Sequence, residues 1–153
     1  VKLENEGKLS AVITQNIDCL HEMAGSKNVL KLHGTVDSNT CVNCGKKYNL
    51  EEFLEICEKE SVPHCLKCGG IIKPDVTLYE EVPDQFTFSK AINEISKADT
   101  LIIGGTSLIV YPAASLIQYF QGKNLVLINK DETPYDSRAN LVIHDSIGKV
   151  MKL

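Results

Sequence analysis

Four of the six cysteines fall into two Cys-x-x-Cys pairs, Cys41/Cys44 and Cys65/Cys68. Two short thiolate turns of this kind can close a tetrahedron, and four thiolates suit the soft, geometry-tolerant coordination of zinc. Gly45 and Gly69 directly follow the second cysteine of each pair, where glycine relieves the turn that aims backbone amides at the sulfurs. A shell filled by four thiolates leaves no open position, so the metal is expected to be structural, not catalytic. Disulfides or free buried cysteines are the plainer alternatives; the paired spacing favours the metal. His64, beside Cys65, is expected to be exposed and not a ligand. Two further places carry residue types suited to chemistry. Thr14-Gln15-Asn16-Ile17-Asp18 is a polar cluster after an apolar run, and His33 stands between an apolar segment and Gly34. Such amides and carboxylates can bond ribose hydroxyls or hold a water. A histidine, with an unperturbed pKa of about 6.5, suits base chemistry near neutrality. A loop that caps a helix and a structural histidine account for the same residues, and the residues alone leave both readings open.

The elements that must position these groups follow from periodicity. Leu9 to Gln15 and Val29 to Leu32 are short apolar runs readable as strands. Between the cysteine pairs, Leu50 to Glu60 places Leu50, Phe53, Leu54, Ile56 and Cys57 at helical spacing. The segment 40–72 is thereby predicted to be a small zinc-binding domain inserted into a larger one. Beyond it, Asp84 to Ala98 reads as a helix with Phe88, Ala91, Ile92 and Ile95 on one face. Thr100 to Ile103 reads as a buried strand, Ala113 to Gln121 as a helix after Pro112, and Leu125 to Ile128 and Leu141 to Ile143 as strands. Ile147 to Leu153 is expected to be a final short helix. Alternating strands and helices mark an α/β domain with a parallel sheet. The polar cluster at 14–18 falls at the carboxyl end of its strand, the edge where open α/β sheets bind ligands.

Bulk composition narrows the function classes. The 153 residues are 43% hydrophobic and 24% charged, with a formal net charge of −4. That balance creates no field for nucleic acid or an anionic membrane. No apolar run approaches the roughly 18 residues of a membrane span. The cysteine pattern favours a reducing compartment, and a cytoplasmic location is expected.

Ile13-Thr14-Gln15-Asn16-Ile17-Asp18, then Leu20-His21, Ala24-Gly25 and Leu32-His33-Gly34, resemble the signature of the sirtuins. The four-cysteine insert follows in the family's order. Gly105-Thr106-Ser107-Leu108 with Val110 and Pro112-Ala113-Ala114, and then Leu127-Ile128-Asn129, resemble two further family motifs. The resemblance implies a Rossmann-like parallel sheet formed by residues 1–39 and 73–153, carrying the zinc domain 40–72. It implies removal of acyl groups from protein lysine side chains with NAD, giving nicotinamide and O-acyl-ADP-ribose. His33 would then be the general base, with Asn16 and Asp18 positioning a ribose and a water and Gln15 touching the same ribose. Gly105, Thr106, Ser107, Asn129 and Ile147 would hold other parts of NAD. Val76, Thr77, Tyr79 and Val110 would line the cleft for an acyl-lysine peptide, added as an extended strand. ADP-ribosyl transfer from the same activated ribose, or a non-catalytic zinc-binding interaction module, are the alternatives.

The chain departs from the family at several points. Cys19 stands where the family often has glycine, and Thr77, Leu78-Tyr79 and Glu80 replace its usual Val, Phe-Phe and Gly. The family's Gly-Ala-Gly strand-turn, which receives the pyrophosphate, has no counterpart from Val1 onward. The sheet is therefore expected to be incomplete at its N-terminal side, with unbridged strand edges at Leu9 to Gln15 and Leu101 to Ile103. The 153 residues alone are expected to bind NAD weakly and to turn over little.

Overall fold

In a computed structural model, which describes residues 1–152, the chain divides into two compact units, Val1–Phe88 and the residues from Ser89 on. The first unit begins with a short helix α1 (Lys2–Asn5), strand β1 (Val12–Thr14), a short helix α2 (Leu20–Met23) and strand β2 (Val29–Lys31). β1 and β2 pair in parallel, Val12 opposite Val29 through Thr14 opposite Lys31. The carboxylate of Glu4 on α1 accepts hydrogen bonds from the Lys27 and Asn28 amides at 3.1 and 2.9 Å, fixing the approach to β2. Leu30 in β2 and Leu32 just after it are buried.

Next come β3 (Gly34–Cys41), β4 (Lys47–Asn49), α3 (Leu50–Cys57) and β5 (Ile72–Val76). The three strands form an antiparallel sheet in the order β4-β3-β5. α3 starts on a capping box: the Asn49 side chain accepts from the Glu52 amide at 2.8 Å, and the Glu52 carboxylate accepts from the Asn49 amide at 2.9 Å. Cys41, Tyr48, Ile56, Cys65 and Ile72 make a core of their own, with Phe53 packed against it.

Helix α4 (Gln85–Lys97) leads into the second unit and buries Ala91 and Ile95 at the predicted helical spacing. β6 (Thr100–Gly104), β7 (Asn124–Ile128) and β8 (Leu141–Ile143) form a parallel sheet in sequence order. Its core joins Leu108, Ile117, Leu125 and Leu127. Helix α5 (Ile147–Val150) ends the described elements. The architecture is α/β with parallel sheets and a four-cysteine module, as the sequence implies. Among the described residues, β1 has one strand partner, β2, and β6 has one, β7.

Several elements differ from the sequence reading. Ala113–Tyr119 is a 3-10 helix, not an α-helix. The amide of Ser115 bonds the Pro112 carbonyl three residues back at 3.0 Å, and its hydroxyl takes the same carbonyl at 2.6 Å. That i to i+3 pattern, set by the proline entry, tightens the turn. β6 is not buried throughout, for Ile102 is 44% exposed. α5 is shorter than the expected 147–153 helix, and Leu153 lies outside the described residues. β3, β4 and α2 arise where periodicity gave no element.

Candidate functional site

The cysteine pairs meet as their spacing predicts. The Sγ atoms of Cys41, Cys44, Cys65 and Cys68 all lie within 4.8 Å of one another. Cys41 and Cys68 are 3.5 Å apart, and Cys44 and Cys65 are 3.6 Å apart. A disulfide needs about 2.05 Å, whereas a tetrahedron with Zn–S bonds of roughly 2.3 Å spaces its sulfurs by about 3.8 Å. The donor set and its size therefore fit a zinc ion. Each pair sits on a reverse turn in which the Gly45 amide bonds the Cys41 carbonyl at 3.0 Å and the Gly69 amide bonds the Cys65 carbonyl at 2.8 Å. Both glycines have left-handed φ, +69° and +72°, which is the reason for glycine there. His64 stays outside the cluster, half exposed and paired with Glu60 at 2.7 Å.

The electrostatics of the four sulfurs are strained without a cation. The Tyr48 hydroxyl is the main influence drawing the Cys65 thiol down to about 6, helped by the Lys67 and Cys68 amides against burial. The Gly70 amide pulls on Cys68, but the Cys44 and Cys41 sulfurs and burial outweigh it and push that thiol up to about 12. Four crowded sulfurs cannot all ionise together, and a central dication removes the conflict. Tyr48 was not anticipated from the sequence. It is buried, and its hydroxyl accepts from the Leu66 amide at 2.9 Å while donating to Cys65 Sγ at 3.2 Å. Burial, then the Cys65 sulfur, push its own ionisation up, so it remains a donor. Its place four residues after Cys44, in Cys-Gly-Lys-Lys-Tyr, was the available signal.

The polar cluster lies at the carboxyl end of β1. The Asn16 amide bonds Thr14 Oγ1 at 3.0 Å, and Asp18 Oδ1 accepts from the Leu20 amide at 3.1 Å across the entry to α2. The side chains of Asn16 and Asp18 are exposed, and Gln15 is half-buried. The Leu32 amide bonds the Thr14 carbonyl at 2.9 Å, bringing the end of β2 alongside. His33 is next in sequence, and its Nδ1 stands 3.1 Å from the Gln15 carbonyl oxygen. A carbonyl only accepts, so neutral His33 carries its proton on Nδ1 and leaves the Nε2 lone pair available. The structure thus joins His33 to Gln15, Asn16 and Asp18 through a short stretch of backbone. Gly34, at φ +78°, lets the chain pass directly against β5; a Cβ there would collide with the Asp75 carbonyl.

The proposed peptide wall adjoins His33. Val76 closes β5, and the Thr77 amide bonds the His33 carbonyl at 2.9 Å. Only Val76 of this wall lies in the strand; Thr77, Leu78 and Tyr79 continue as irregular chain, with Tyr79 97% exposed.

In the second unit, Gly105, Thr106 and Ser107 follow β6 directly, Asn129 follows β7, and Ile147 opens α5. The Gly105 amide bonds the Ile128 carbonyl at 3.0 Å, and the Asn129 amide bonds the Ile143 carbonyl at 3.1 Å. The Ile147 side chain occupies the space where Gly104 lacks a Cβ. Gly105, Asn129 and Ile147 are therefore gathered at the carboxyl ends of three parallel strands, the ligand-binding side of an open α/β sheet. Val110 is exposed just before the 3-10 helix.

Comparison with known proteins now decides the family. The Sir2 family model matches residues 1–112. The chain belongs to the Sir2 family. A Clostridium perfringens (strain 13) protein named NAD-dependent protein deacetylase is 65% identical over 151 residues, covering 98% of this chain and 61% of that protein. Its namesake from Clostridium acetobutylicum is 56% identical over 151 residues, covering 99% of this chain and 61% of its own length. The chain thus spans about three-fifths of these sirtuin relatives. A solved complex described as "Sir2-p53 peptide-NAD+" superposes with a TM-score of 0.92 at 42% identity, covering 97% of this chain and 63% of that one. Another, "Sir2 bound to acetylated peptide", gives the same score, identity and coverages.

Proposed function

We propose that the protein carrying this chain is an NAD-dependent protein-lysine deacylase with a structural zinc. The observation that supports it most directly is the His33–Gln15 hydrogen bond, which ties the histidine to the strand end that carries Asn16 and Asp18 and turns Nδ1, not Nε2, to that carbonyl. The relatives named NAD-dependent protein deacetylase support the same reading. Bound NAD would supply a ribose carbon for the acyl-lysine carbonyl oxygen as nicotinamide departs; with one water the acyl–nitrogen bond would break, leaving free lysine and O-acyl-ADP-ribose. His33 Nε2 would take a proton from a ribose hydroxyl, a role for which the Gln15 carbonyl has already fixed its tautomer. Gln15, Asn16 and Asp18 would bond that ribose and hold a water by their amide and carboxylate groups. The Gly105 turn, with its left-handed φ of +63°, lets backbone come close to a phosphate, and Thr106 and Ser107 offer hydroxyls beside it. Asn129 would meet the adenosine ribose, and Ile147 would face the adenine.

Val76, Thr77, Tyr79 and Val110 would take an acylated-lysine peptide as an extended segment. Cys41, Cys44, Cys65 and Cys68 would hold Zn2+ without touching substrate. We assign 40–72 as the zinc domain and 1–39 with 73–153 as the Rossmann-like domain. We place the protein in the cytoplasm, acting on protein, because four thiolates held for a metal suit a reducing compartment. The test is mass spectrometry of an acetyl-lysine peptide incubated with NAD and the full-length protein. Deacetylated peptide with O-acetyl-ADP-ribose is the expected result; ADP-ribosylated protein, or an unchanged peptide, would overturn it.

A further inference from the structure

β5 is an edge strand, with β3 on one side and no strand on the other among the described residues. In extended chain, successive residues turn their backbone groups to opposite edges. Thr77 turns toward His33, whose carbonyl it bonds at 2.9 Å. Val76 therefore faces the open side, and Leu78 lies just beyond it, at the start of a turn closed by the Glu81 amide. Two side chains meet them there. Lys73 Nζ donates to the Val76 carbonyl at 2.9 Å, and Glu81 Oε2 accepts from the Leu78 amide at 2.9 Å. Lys73 and Glu81 also pair with each other at 3.0 Å, and the Glu81 amide bonds the Leu78 carbonyl at 3.1 Å. One ion pair thus ties the last residue of β5 to the turn that follows it. The Leu78 amide, then Lys73, hold the Glu81 carboxyl below its usual range, so it stands there as a carboxylate at neutral pH.

We propose that Lys73 and Glu81 are positioning residues that brace the Val76–Tyr79 wall and keep Thr77 registered against His33 for an acyl-lysine peptide; this rests on the deacylase reading above. The argument is one of location. Both side chains are 35 to 42% exposed, and a pair so exposed adds little to global stability. Its effect is concentrated on the segment it bonds, which leaves the sheet at Val76. The wall would contact the peptide in ground state and transition state alike, so loosening it should weaken peptide binding more than it slows chemistry.

The experiment uses the full-length protein with Lys73→Met, Glu81→Ala and the conservative Lys73→Arg. Zinc content and circular dichroism establish that each variant is folded. For Lys73→Met and Glu81→Ala the peptide KM is expected to rise about 5- to 20-fold, with kcat within about twofold and the KM for NAD unchanged. Lys73→Arg should recover most of the peptide affinity, because it can still donate to the carbonyl and pair with Glu81. The Leu78 amide should exchange with solvent about tenfold faster or more in the two disruptive variants. A peptide KM unmoved by both, or a rise shared equally by NAD, overturns the positioning role. A wild-type protein without turnover overturns the deacylase reading itself, whereas an active wild type with insensitive variants overturns only this proposal.

Discussion

The zinc module and the strand-end loops solve the same problem, placing reactive side chains, in opposite ways. In the module, each cysteine pair is set by one reverse turn, closed by two amide-to-carbonyl bonds and a left-handed glycine. The geometry is local, and the two turns need only be brought together once. At the ends of β1 and β2, the candidate base and its companions come from segments 18 residues apart, held by parallel register and by the His33–Gln15 bond. The module's core is small, with two of its five buried members themselves cysteines. It follows that the module should depend on its metal, whereas the histidine should matter to chemistry and hardly at all to folding.

The largest effect expected is from stripping the metal. Structural zinc contributes apparent binding free energies of about 10–16 kcal/mol in small metal domains, as much as the whole stability of a typical domain, about 5–15 kcal/mol. Chelation, or Cys65→Ser, should therefore unfold β3, β4, β5 and α3, while the amides of β6, β7 and β8 keep their protection from hydrogen exchange. Because the ligands bind as thiolates, acid should promote the same loss. Persistent protection of the Tyr48 and Asn39 amides after complete zinc removal would show that the core holds without metal.

Next in size is His33→Ala, which should lower deacylation on the order of 100- to 10,000-fold with zinc content and thermal unfolding nearly unchanged. A variant that loses zinc or stability in proportion would erase the distinction between the two regions. His33→Gln refines the test, since its amide can still donate to the Gln15 carbonyl but supplies no base.

The contrast also explains what the sequence made legible. Two Cys-x-x-Cys-Gly turns are readable because ligand and turn residue lie within four positions. α4 is readable because Phe88, Ala91, Ile92 and Ile95 recur on one face, and the helix found is within a residue of the one expected at each end. β3 is not readable: Gly-Thr-Val-Asp-Ser-Asn-Thr-Cys is polar and has little strand propensity. It becomes a strand because β4 and β5 pair on both its sides, burying Asn39 completely. Pairing across such sequence distances leaves no local mark. Likewise the roles of Gln15, Asn16, Asp18 and His33 came from family resemblance, because a polar loop and one histidine look the same whether they cap a helix or bind a ribose. The tautomer of His33 needed the Gln15 carbonyl in place before it could be argued.

A smaller effect is expected at Tyr48. Its hydroxyl donates to Cys65 Sγ while its ring fills the module's core, and outer partners of metal ligands commonly matter about 10- to 100-fold in metal affinity. Tyr48→Phe keeps the ring and removes the hydrogen bond. Zinc release to a chromogenic chelator should accelerate by about tenfold at the low end of that range, and the Leu66 amide should lose protection. Equal release rates would show that the reverse turns alone retain the metal.

The smallest effects concern Cys19 and Glu80, both at positions where the family often has glycine, and both with left-handed backbone, φ +56° and +70°. A non-glycine residue there is strained by roughly 1–2 kcal/mol, and a glycine regains that while adding about 0.5–1 kcal/mol of unfolded-chain freedom. At Glu80 the balance should favour glycine: Glu80→Gly is expected to stabilise by up to about 1 kcal/mol. Cys19 differs, because its thiol is buried, 2.9 Å from Thr35 Oγ1 and 3.3 Å from Lys31 Nζ, and Lys31 in turn pairs with Glu22 at 2.6 Å. Cys19→Gly relieves the backbone but empties that buried position, so it should be neutral or destabilising by about 1 kcal/mol. Cys19→Ser, which keeps the left-handed strain and a polar group, separates the two contributions. Urea unfolding of the three variants measures them side by side. If Cys19→Gly gains as much as Glu80→Gly, the contacts of the thiol contribute nothing and backbone strain alone sets the cost of replacing glycine at both turns.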